Sequence, residues 1–344
     1  MSSFAVKVRP VTVSPHPNAD LLELGQVDDY RVVIGRDSYS TGDLVAYIPE
    51  GAIVPAPIIT AMGLEGRLAG AEKNRVKAIR LRGELSQGLL YHPDPFPAHW
   101  VEGLDITEEL GITKYQAPIP VSMAGKMEPC PSDILRSYDI ENIKAYPDVL
   151  QEGERVVASE KLHGSLVLVG TDGVNNFVSS KGIAARGFSL VEDDSNVYWR
   201  VVKAYDLLAK VRRLREELGP AGAILYGEVL GVQDLKYGLG PGELSFRAFD
   251  IYTPTRGFLD YDFFLDICPS LFIPTVPVIY DGPYSKEKLL ELTSGRSTIA
   301  SHLREGVVVR AEPRRRDPLL GRVILKSVSE GYLTRKGNNL TELE

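Results

Sequence analysis

The fold is decided by a short stretch, Glu160-Lys161-Leu162-His163-Gly164-Ser165, which lies between two apolar runs, Val156-Val157-Ala158 and Leu166-Val167-Leu168-Val169. Apolar β-formers on both sides predict a tight connection between two strands. A lysine at the end of a buried strand is partly desolvated, which disfavours its charged form and makes the amine a nucleophile near neutral pH. Gly164 allows a backbone or a phosphate to come close. Taken alone, the pattern is more typical of a surface hairpin with a solvated lysine.

Composition limits the possible classes of protein. The chain has 344 residues, 44% of them apolar and 25% charged, which predicts a folded protein of two domains. It has no apolar run near the roughly 18 residues of a membrane span and no signal-peptide pattern. Its two cysteines, Cys130 and Cys268, and five scattered histidines predict no disulfide framework and no zinc site. A cytoplasmic location fits these features. The net charge of −7 means that any nucleic-acid site must be a local basic patch.

The N-terminal part is β-rich. Short strands separated by turns predict a small barrel, with the OB-fold as the leading candidate. The predicted strands are Phe4–Val8, Leu22–Val27, Tyr30–Gly35 and Leu44–Ile48.

A basic segment follows, which contains Lys73, Arg75, Lys77, Arg80 and Arg82. Arg75 and Lys77 alternate around Val76, and Arg80 and Arg82 alternate with Ile79 and Leu81. On a strand, this alternation places the cations on one face and the aliphatic side chains towards the core. Such a face is a plausible groove for a phosphate backbone, and a solvated strand face explains the pattern equally well. We expect this surface to dock nucleic acid.

The domain boundary is predicted in a proline-rich region. We assign residues 1–120 to the N-terminal domain, with a linker that extends to about 150, and residues 121–344 to a second domain. That domain reads as antiparallel sheets with flanking helices, so the fold class is α+β. The best helix spans Val201 to Leu218, where apolar residues recur near helical spacing, and its role is packing.

Several chemically distinctive residues of the second domain lie on or beside predicted strands: Lys161, Glu228, Phe249, Glu305 and Lys326. A lysine nucleophile, two carboxylates, an aromatic ring and a late lysine are the groups that nucleotidyl transfer requires. The amine attacks the α-phosphorus, and carboxylates hold a divalent ion that offsets charge on the phosphate. The ring stacks on the base and the second lysine contacts the phosphate.

The order of these residues resembles the covalent nucleotidyltransferase superfamily of ATP-dependent ligases and mRNA capping enzymes. Six segments match its motifs I, Ia, III, IIIa, IV and V in sequence: Lys161-Leu162-His163-Gly164, Ser180-Lys181-Gly182, Tyr226-Gly227-Glu228, Phe249-Asp250-Ile251, Glu305-Gly306-Val307-Val308-Val309-Arg310 and Leu325-Lys326.

Within the superfamily, the N-terminal half resembles the Deinococcus and Naegleria type of RNA ligase, which carries an OB domain ahead of the nucleotidyltransferase domain. The resemblance rests on Arg80-Leu81-Arg82-Gly83, Ser86-Gln87-Gly88-Leu89-Leu90 and Thr113-Lys114-Tyr115. It implies ATP, Mg²⁺ or Mn²⁺, and three steps: adenylylation of Lys161, transfer of AMP to an RNA 5′-phosphate, and sealing by a 3′-OH. The implied partner is a nicked duplex of RNA or containing RNA, the implied role is RNA repair, and no membrane or obligate protein partner is expected.

The resemblance also implies the site residues. Lys161 is the catalytic residue, and Glu228 and Glu305 are the metal ligands. The nucleotide is bound by Glu160, Lys161, His163, Gly164, Lys181, Arg186, Glu228, Phe249, Glu305 and Lys326.

Three positions depart from the family pattern. His163 stands where many members have aspartate, so a metal contact there is in doubt, and a histidine could contact the phosphate or ribose instead. Motif V often reads K-x-K, whereas here Val328 stands two residues after Lys326. Lys336 is not assigned the role of the second lysine. Lys181 stands where ligases often have arginine, and Arg186 is expected to share its role.

The sequence disfavours two alternative functions. A DNA ligase or capping enzyme normally has an OB domain after motif V, and the chain ends at Glu344, soon after Lys326, so both are disfavoured. A non-catalytic RNA-binding protein would have little reason to keep Glu228, Glu305 and Lys326 together with Lys161.

Overall fold

The computed structural model describes residues 4–116 and 121–335. The N-terminal part is built mainly of short strands. Its elements are β1 (Lys7–Pro10), β2 (Thr12–Pro15), β3 (Leu22–Val27), β4 (Tyr30–Gly35), β5 (Leu44–Ile48), β6 (Ala52–Ile53), α1 (Ala56–Ala61), β7 (Ile79–Leu81), β8 (Glu84–Ser86), β9 (Leu89–Tyr91) and β10 (Thr113–Lys114).

Two three-stranded antiparallel sheets, β2-β3-β4 and β1-β5-β9, form the body of this part. The bounds of β3, β4 and β5 are those predicted, whereas the first strand begins at Lys7 rather than Phe4. Trp100, Ile106 and Ile112 are buried in the same core as the strand residues Val8 and Ile48. The chain after the last long strand therefore packs as part of the N-terminal unit.

The basic segment is not the continuous strand that its alternation predicts. Lys73 and Arg82 have left-handed backbone conformations, with φ of 52° and 50°, which a strand cannot accommodate. The only strand between them is β7, which pairs with β8 as a short hairpin. Ile79 and Leu81 on β7 are exposed to solvent rather than packed in the core. The prediction of one cationic strand face is therefore wrong.

The second part contains more and longer elements. They are α2 (Val121–Ala124), β11 (Met127–Pro129), β12 (Glu141–Asn142), a short 3₁₀ helix (Ile143–Ala145), β13 (Arg155–Lys161), β14 (Ser165–Thr171), β15 (Asn176–Ser180), α3 (Lys181–Ala184), β16 (Phe188–Leu190), α4 (Val197–Ala204), α5 (Leu207–Leu218), β17 (Ala223–Leu230), β18 (Ser245–Thr253), β19 (Gly257–Phe258), α6 (Tyr261–Ser270), β20 (Val278–Pro283), α7 (Lys286–Thr293), β21 (Gly306–Ala311), β22 (Arg316–Asp317), β23 (Gly321–Arg322), β24 (Ile324–Val328) and α8 (Glu330–Leu333).

Two five-stranded sheets organise this part, in the orders β12-β24-β21-β13-β20 and β15-β14-β17-β18-β19. All their pairings are antiparallel except the one between β12 and β24. The stretch Leu162–Gly164 joins β13 of one sheet to β14 of the other. It is therefore a tight connection between two strands, as predicted, and a crossover between sheets rather than a surface hairpin.

The predicted helix from Val201 to Leu218 consists of two helices, α4 and α5. Asp206, between them, has a left-handed backbone with φ of 49°, which interrupts the right-handed helix. Val201, Val211 and Leu214 are fully buried on either side of the break. The prediction that this region serves packing agrees with their burial, and only the single continuous helix is wrong.

The buried hydrophobic clusters each draw on one side of residues 117–120. Residues 123–150, which include the predicted linker, contribute Met123, Tyr138, Ile143 and Leu150 to clusters of the second part. The proposed boundary at residue 120 itself lies outside the described residues, as do Lys336 and the C-terminal end at Glu344. Across residues 4–116 and 121–335, no helix has the length and apolarity needed to cross a membrane.

Candidate active site

The connection between the two sheets brings one carboxylate from each sheet to Lys161. Lys161 is the last residue of β13 and pairs with Gly306 of β21, so Glu305 lies immediately beside it. In the other sheet, Ser165 pairs with Val229, which places Glu228 next to the turn. A Cβ on residue 164 would lie 2.2 Å from the backbone oxygen of Val229, so only glycine permits this approach.

A cavity of about 130 Å³ opens at this point. It is lined by every residue predicted to bind the nucleotide except Arg186: Glu160, Lys161, His163, Gly164, Lys181, Glu228, Phe249, Glu305 and Lys326. The sequence separates these residues by up to 166 positions, and the two sheets bring them together.

Lys161 is largely buried and forms an ion pair with Glu305. The lysine side chain is 17% exposed and the carboxylate 1% exposed. Such a contact stabilises the ammonium form, so the amine becomes a nucleophile only when its proton leaves. Glu305 is the acceptor in contact with that proton.

Glu228 faces the same cavity and does not ionise readily. Burial and, to a smaller extent, the nearby carboxylate of Glu305 raise its pKa to about 8, although Lys161 and His163 oppose the shift. Without a ligand, this carboxyl therefore remains largely protonated at neutral pH. A cation placed beside it would favour the ionised form.

His163 is 3% exposed and hydrogen-bonded on both ring nitrogens. Nε2 donates to Asp234 Oδ1 at 2.6 Å, and Nδ1 lies 2.9 Å from the Tyr332 hydroxyl and 3.4 Å from Glu305 Oε2. Burial lowers the pKa of His163, but Glu305 and Asp234 outweigh it, and the net pKa lies above its usual value.

Glu160 and Phe249 form another part of the wall. Glu160 is 2% exposed, and its Oε2 accepts hydrogen bonds from the backbone N–H and the hydroxyl of Thr298, both at 2.7 Å. Its Oε1 has no hydrogen-bond partner among the residues that the structure describes. The Phe249 ring packs against Tyr138, with ring centres 5.0 Å apart. A buried acceptor without a partner in a cavity wall indicates a position where a ligand donates a hydrogen bond.

Lys181 and Arg186 do not share one role. Lys181 begins α3 and pairs with Asp139 at 2.9 Å, and both residues line the cavity. Arg186 lies beyond the end of this short helix, where its exposed guanidinium contacts the sulfur of Met127 at 3.3 Å. Arg186, unlike Lys181, does not line the cavity, so its contact with the nucleotide stays a prediction.

The residues predicted to bind nucleic acid are separated in space. Arg75 is 6% exposed and packs on the Tyr115 ring, 4.1 Å from its centre. Lys77 and Arg80 line a larger cleft of about 590 Å³ between the two parts of the molecule, and Arg80 pairs with Glu330 at 3.0 Å. Lys73 and Arg82 lie at exposed turns.

The larger cleft reaches the smaller cavity, because Lys326 lines both. Lys7, Arg9, Lys114 and Arg335 add further cationic side chains to the cleft. The positive surface next to Lys161 is therefore assembled from both parts of the chain, and not from one strand.

Sequence reasoning missed several residues of the site. Tyr138, Asp139, Val276 and Arg310 line the cavity around Lys161. Four further residues surround His163: Asp234, Tyr237, Tyr332 and Arg335. Two local signals existed: Tyr138 and Asp139 stand in a polar and aromatic stretch before β12, and Arg310 ends the motif IV segment.

The predicted metal ligands fit a cation only in part. Among residues 4–116 and 121–335, no group of three or more histidine, cysteine, aspartate or glutamate side chains is arranged to hold a metal ion. Glu228 and Glu305 supply two carboxylates, and Mg²⁺ is commonly held by one or two carboxylates together with substrate phosphates and water. These residues therefore fit a metal that arrives with a nucleotide rather than a permanent metal centre.

Comparison with known proteins adds the family. A family model described as RNA ligase matches residues 154–328, slightly more than half of the chain, and a model described as PHA02142 OB-fold domain matches residues 5–93. The second match confirms the predicted OB fold. No curated protein sequence matches the chain.

The solved structures that resemble the chain include Naegleria gruberi RNA ligase with PPi, at 24% identity and a TM-score of 0.82, covering 97% of this chain and 98% of that one. A lysine-to-methionine variant of the same ligase with AMP and Mn has 23% identity and a TM-score of 0.81, with 96% and 98% coverage. A lysine-to-alanine variant with ATP and Mn has 23% identity, a TM-score of 0.80 and the same coverage. The similarity confirms the α+β fold. The family match, which covers more than half of the chain, shows that the chain belongs to the RNA ligase family.

Proposed function

We propose that this protein is an ATP-dependent RNA ligase that seals nicks with a 3′-OH and a 5′-phosphate through a lysyl-AMP intermediate. The observation that carries the proposal is the position of Lys161. It is a largely buried amine that contacts Glu305 at the wall of a cavity that Phe249 also lines. Lys181 and Lys326 supply positive charge to the same cavity for the phosphates.

Adenine is the base that Glu160 best fits. The buried Oε1 of Glu160 can only accept a hydrogen bond while the carboxylate is ionised. Adenine presents an exocyclic amino group as a donor, whereas guanine presents a carbonyl oxygen at the corresponding ring position, which would repel the carboxylate. Similar structures of Naegleria gruberi RNA ligase contain ATP or AMP, which supports the same choice.

The first step joins the amine to the nucleotide. The Lys161 ammonium passes a proton to Glu305, and the neutral amine attacks the α-phosphorus of ATP. A P–N bond forms, the bond from the α-phosphorus to the bridging oxygen breaks, and pyrophosphate leaves. A bound Mg²⁺ or Mn²⁺ would offset the charge on the phosphate oxygens, with Glu228 and Glu305 as its protein ligands.

Two transfers to RNA complete the reaction. A 5′-phosphate oxygen of the RNA displaces lysine from the AMP phosphorus, which gives an RNA–adenylate and returns the amine of Lys161. The 3′-OH then attacks the RNA phosphate and releases AMP. We propose that a nicked duplex that contains RNA is the partner, docked by the OB domain and the basic interdomain cleft, and that the biological role is RNA repair.

The proposal is tested by covalent labelling. Wild-type protein, Lys161→Ala and Lys161→Arg are incubated with α-³²P-labelled ATP or GTP and Mg²⁺, and label that survives denaturing electrophoresis is measured. We expect labelling of the wild type by ATP, much weaker labelling by GTP, and none of the variants. Sealing of nicked duplexes with ribose or deoxyribose at each terminus then defines the substrate.

Two results would contradict this function. Absence of label on folded wild-type protein would exclude a lysyl-AMP intermediate, and undiminished label on Lys161→Ala would place the nucleophile elsewhere. A Lys210→Ala variant is the matched control, because Lys210 lies on helix α5, outside the cavity lining, and contacts the backbone of Phe272. Its labelling should equal that of the wild type.

A further inference from the structure

His163 stands next to the nucleophile, and its chemistry is decided by what its ring contacts. The two nitrogens are the only ring atoms that form strong hydrogen bonds. One donates to Asp234, and the other lies 2.9 Å from the hydroxyl of Tyr332. Although His163 forms part of the cavity wall, neither nitrogen remains for a nucleotide or a metal ion while these contacts hold.

The partners of His163 are themselves held in place. Arg335 donates to both carboxylate oxygens of Asp234, at 3.1 and 3.2 Å, and its guanidinium lies over the Tyr332 ring, 3.7 Å from the ring centre. Tyr332 belongs to α8, whose first turn is capped by the Ser329 side chain. The backbone N–H of His163 also donates to the Tyr237 hydroxyl at 2.7 Å.

The same ring borders the carboxylate that contacts the nucleophile. Nδ1 of His163 lies 3.4 Å from Glu305 Oε2, while the other oxygen of Glu305 contacts Lys161. Both side chains are almost fully buried, so neither can reorient without displacing its neighbours. A shift of the imidazole would therefore move Glu305 relative to the amine.

We propose that His163 is a positioning residue: Asp234 and Tyr332 clamp its imidazole, and the imidazole fixes the Glu305 carboxylate against Lys161. It makes no contact with the phosphate, the ribose or the metal. This inference rests on the proposed function, because it assigns His163 a role in the adenylylation of Lys161. It also assigns a role in the reaction to α8, the helix that follows motif V.

The test separates nucleotide binding from the rate of the chemical step. Single-turnover labelling of Lys161 is measured over a range of ATP concentrations for His163→Ala, Tyr332→Phe and Asp234→Asn. Because misplacement of a reacting group lowers the rate of a bound complex, the rate at saturating ATP should fall by about tenfold or more, with half-saturation within about twofold of wild type. In the double variant, Tyr332→Phe should lower the labelling rate little beyond the effect of His163→Ala alone, since both substitutions break the same contact between Tyr332 and His163.

The controls keep the result interpretable. Tyr280→Phe is the matched control for Tyr332→Phe. The Tyr280 hydroxyl donates to the backbone carbonyl of Pro283 and lies outside the cavity lining, so this variant should label as the wild type does. If His163→Ala does not fold, the two milder variants still carry the test. A raised half-saturation with an unchanged maximal rate for His163→Ala would show that the imidazole binds the nucleotide and would overturn the proposal. Wild-type labelling rates in both Tyr332→Phe and Asp234→Asn would also overturn it, whereas failure of the wild type to label would refute the proposed function itself.

Discussion

Glu228→Gln should stabilise the ligand-free protein at high pH. Burial and the neighbouring Glu305 raise the pKa of Glu228 from 4.5 to about 8 on folding. A carboxyl with a raised pKa binds its proton more tightly in the folded state than in the unfolded state. The free energy of unfolding of the wild type therefore falls as the pH rises from about 4.5 to about 8. Glutamine does not ionise, so the variant avoids this loss.

The size of the effect follows from the pKa. A change from 4.5 to about 8 corresponds to about 5 kcal/mol at pH 9, at about 1.4 kcal/mol for each pH unit. Because Glu228 keeps some contact with solvent in the cavity, screening by water reduces this cost. We therefore expect Glu228→Gln to exceed the wild type by about 2–3 kcal/mol in the free energy of unfolding at pH 9, and to match it near pH 5.

Urea unfolding with EDTA and without nucleotide, measured at pH 5, 7 and 9, checks this prediction. Glu217→Gln is the matched control, since Glu217 is exposed on α5, and its difference from the wild type should not depend on pH. A Glu228→Gln variant that is no more stable than the wild type at pH 9 would refute the argument that burial dominates at this carboxyl. The same variant should be impaired in Lys161 labelling, because it loses a predicted metal ligand.

Three further outcomes are expected. Gly164→Ala should reduce Lys161 labelling by about tenfold or more, since a Cβ there would lie 2.2 Å from the Val229 backbone oxygen and the turn must move; normal labelling would show that the turn adapts without cost. Arg82→Ala should weaken nick sealing and spare labelling, as expected for an exposed residue that docks RNA, and an equal loss of both activities would exclude that role. EDTA should abolish labelling without changing the melting temperature, because no described group of three or more acidic, histidine or cysteine side chains forms a metal centre; a lower melting temperature would reveal a structural ion.

Strand positions followed from local patterns with good accuracy. Alternating or continuous apolar runs between turns fixed the bounds of β3, β4 and β5, because these strands bury side chains with a period of two residues or on both faces. The same reasoning failed at the basic segment and at the helix around Asp206. In both places a left-handed backbone residue interrupts an element whose side-chain pattern continues, and composition does not reveal that conformation.

The site was predictable to the extent that its chemistry appears in the sequence. The proposed nucleophile, two carboxylates, an aromatic residue and a late lysine have distinct side chains next to predicted strands, and all of them line one cavity. Arg186 was indistinguishable from these by sequence, although it lies after the end of α3, outside the cavity lining, and contacts Met127. Tyr332 and Asp234 carried no signal, because an ordinary tyrosine and aspartate acquire their role only through contact with His163.

The sequence by itself determined the two-part α+β organisation, the strands that carry Lys161, Glu228 and Lys326, and the type of chemistry that these side chains support. Only the tertiary structure decided which atoms meet. Lys161 contacts Glu305 across 144 positions of sequence because β13 and β21 pair in one register, and His163 reaches Tyr332 across 169 positions because α8 returns to the turn. Local propensity acts over a few residues, whereas hydrogen bonds and burial at this site are set by sheet register and packing across the whole domain.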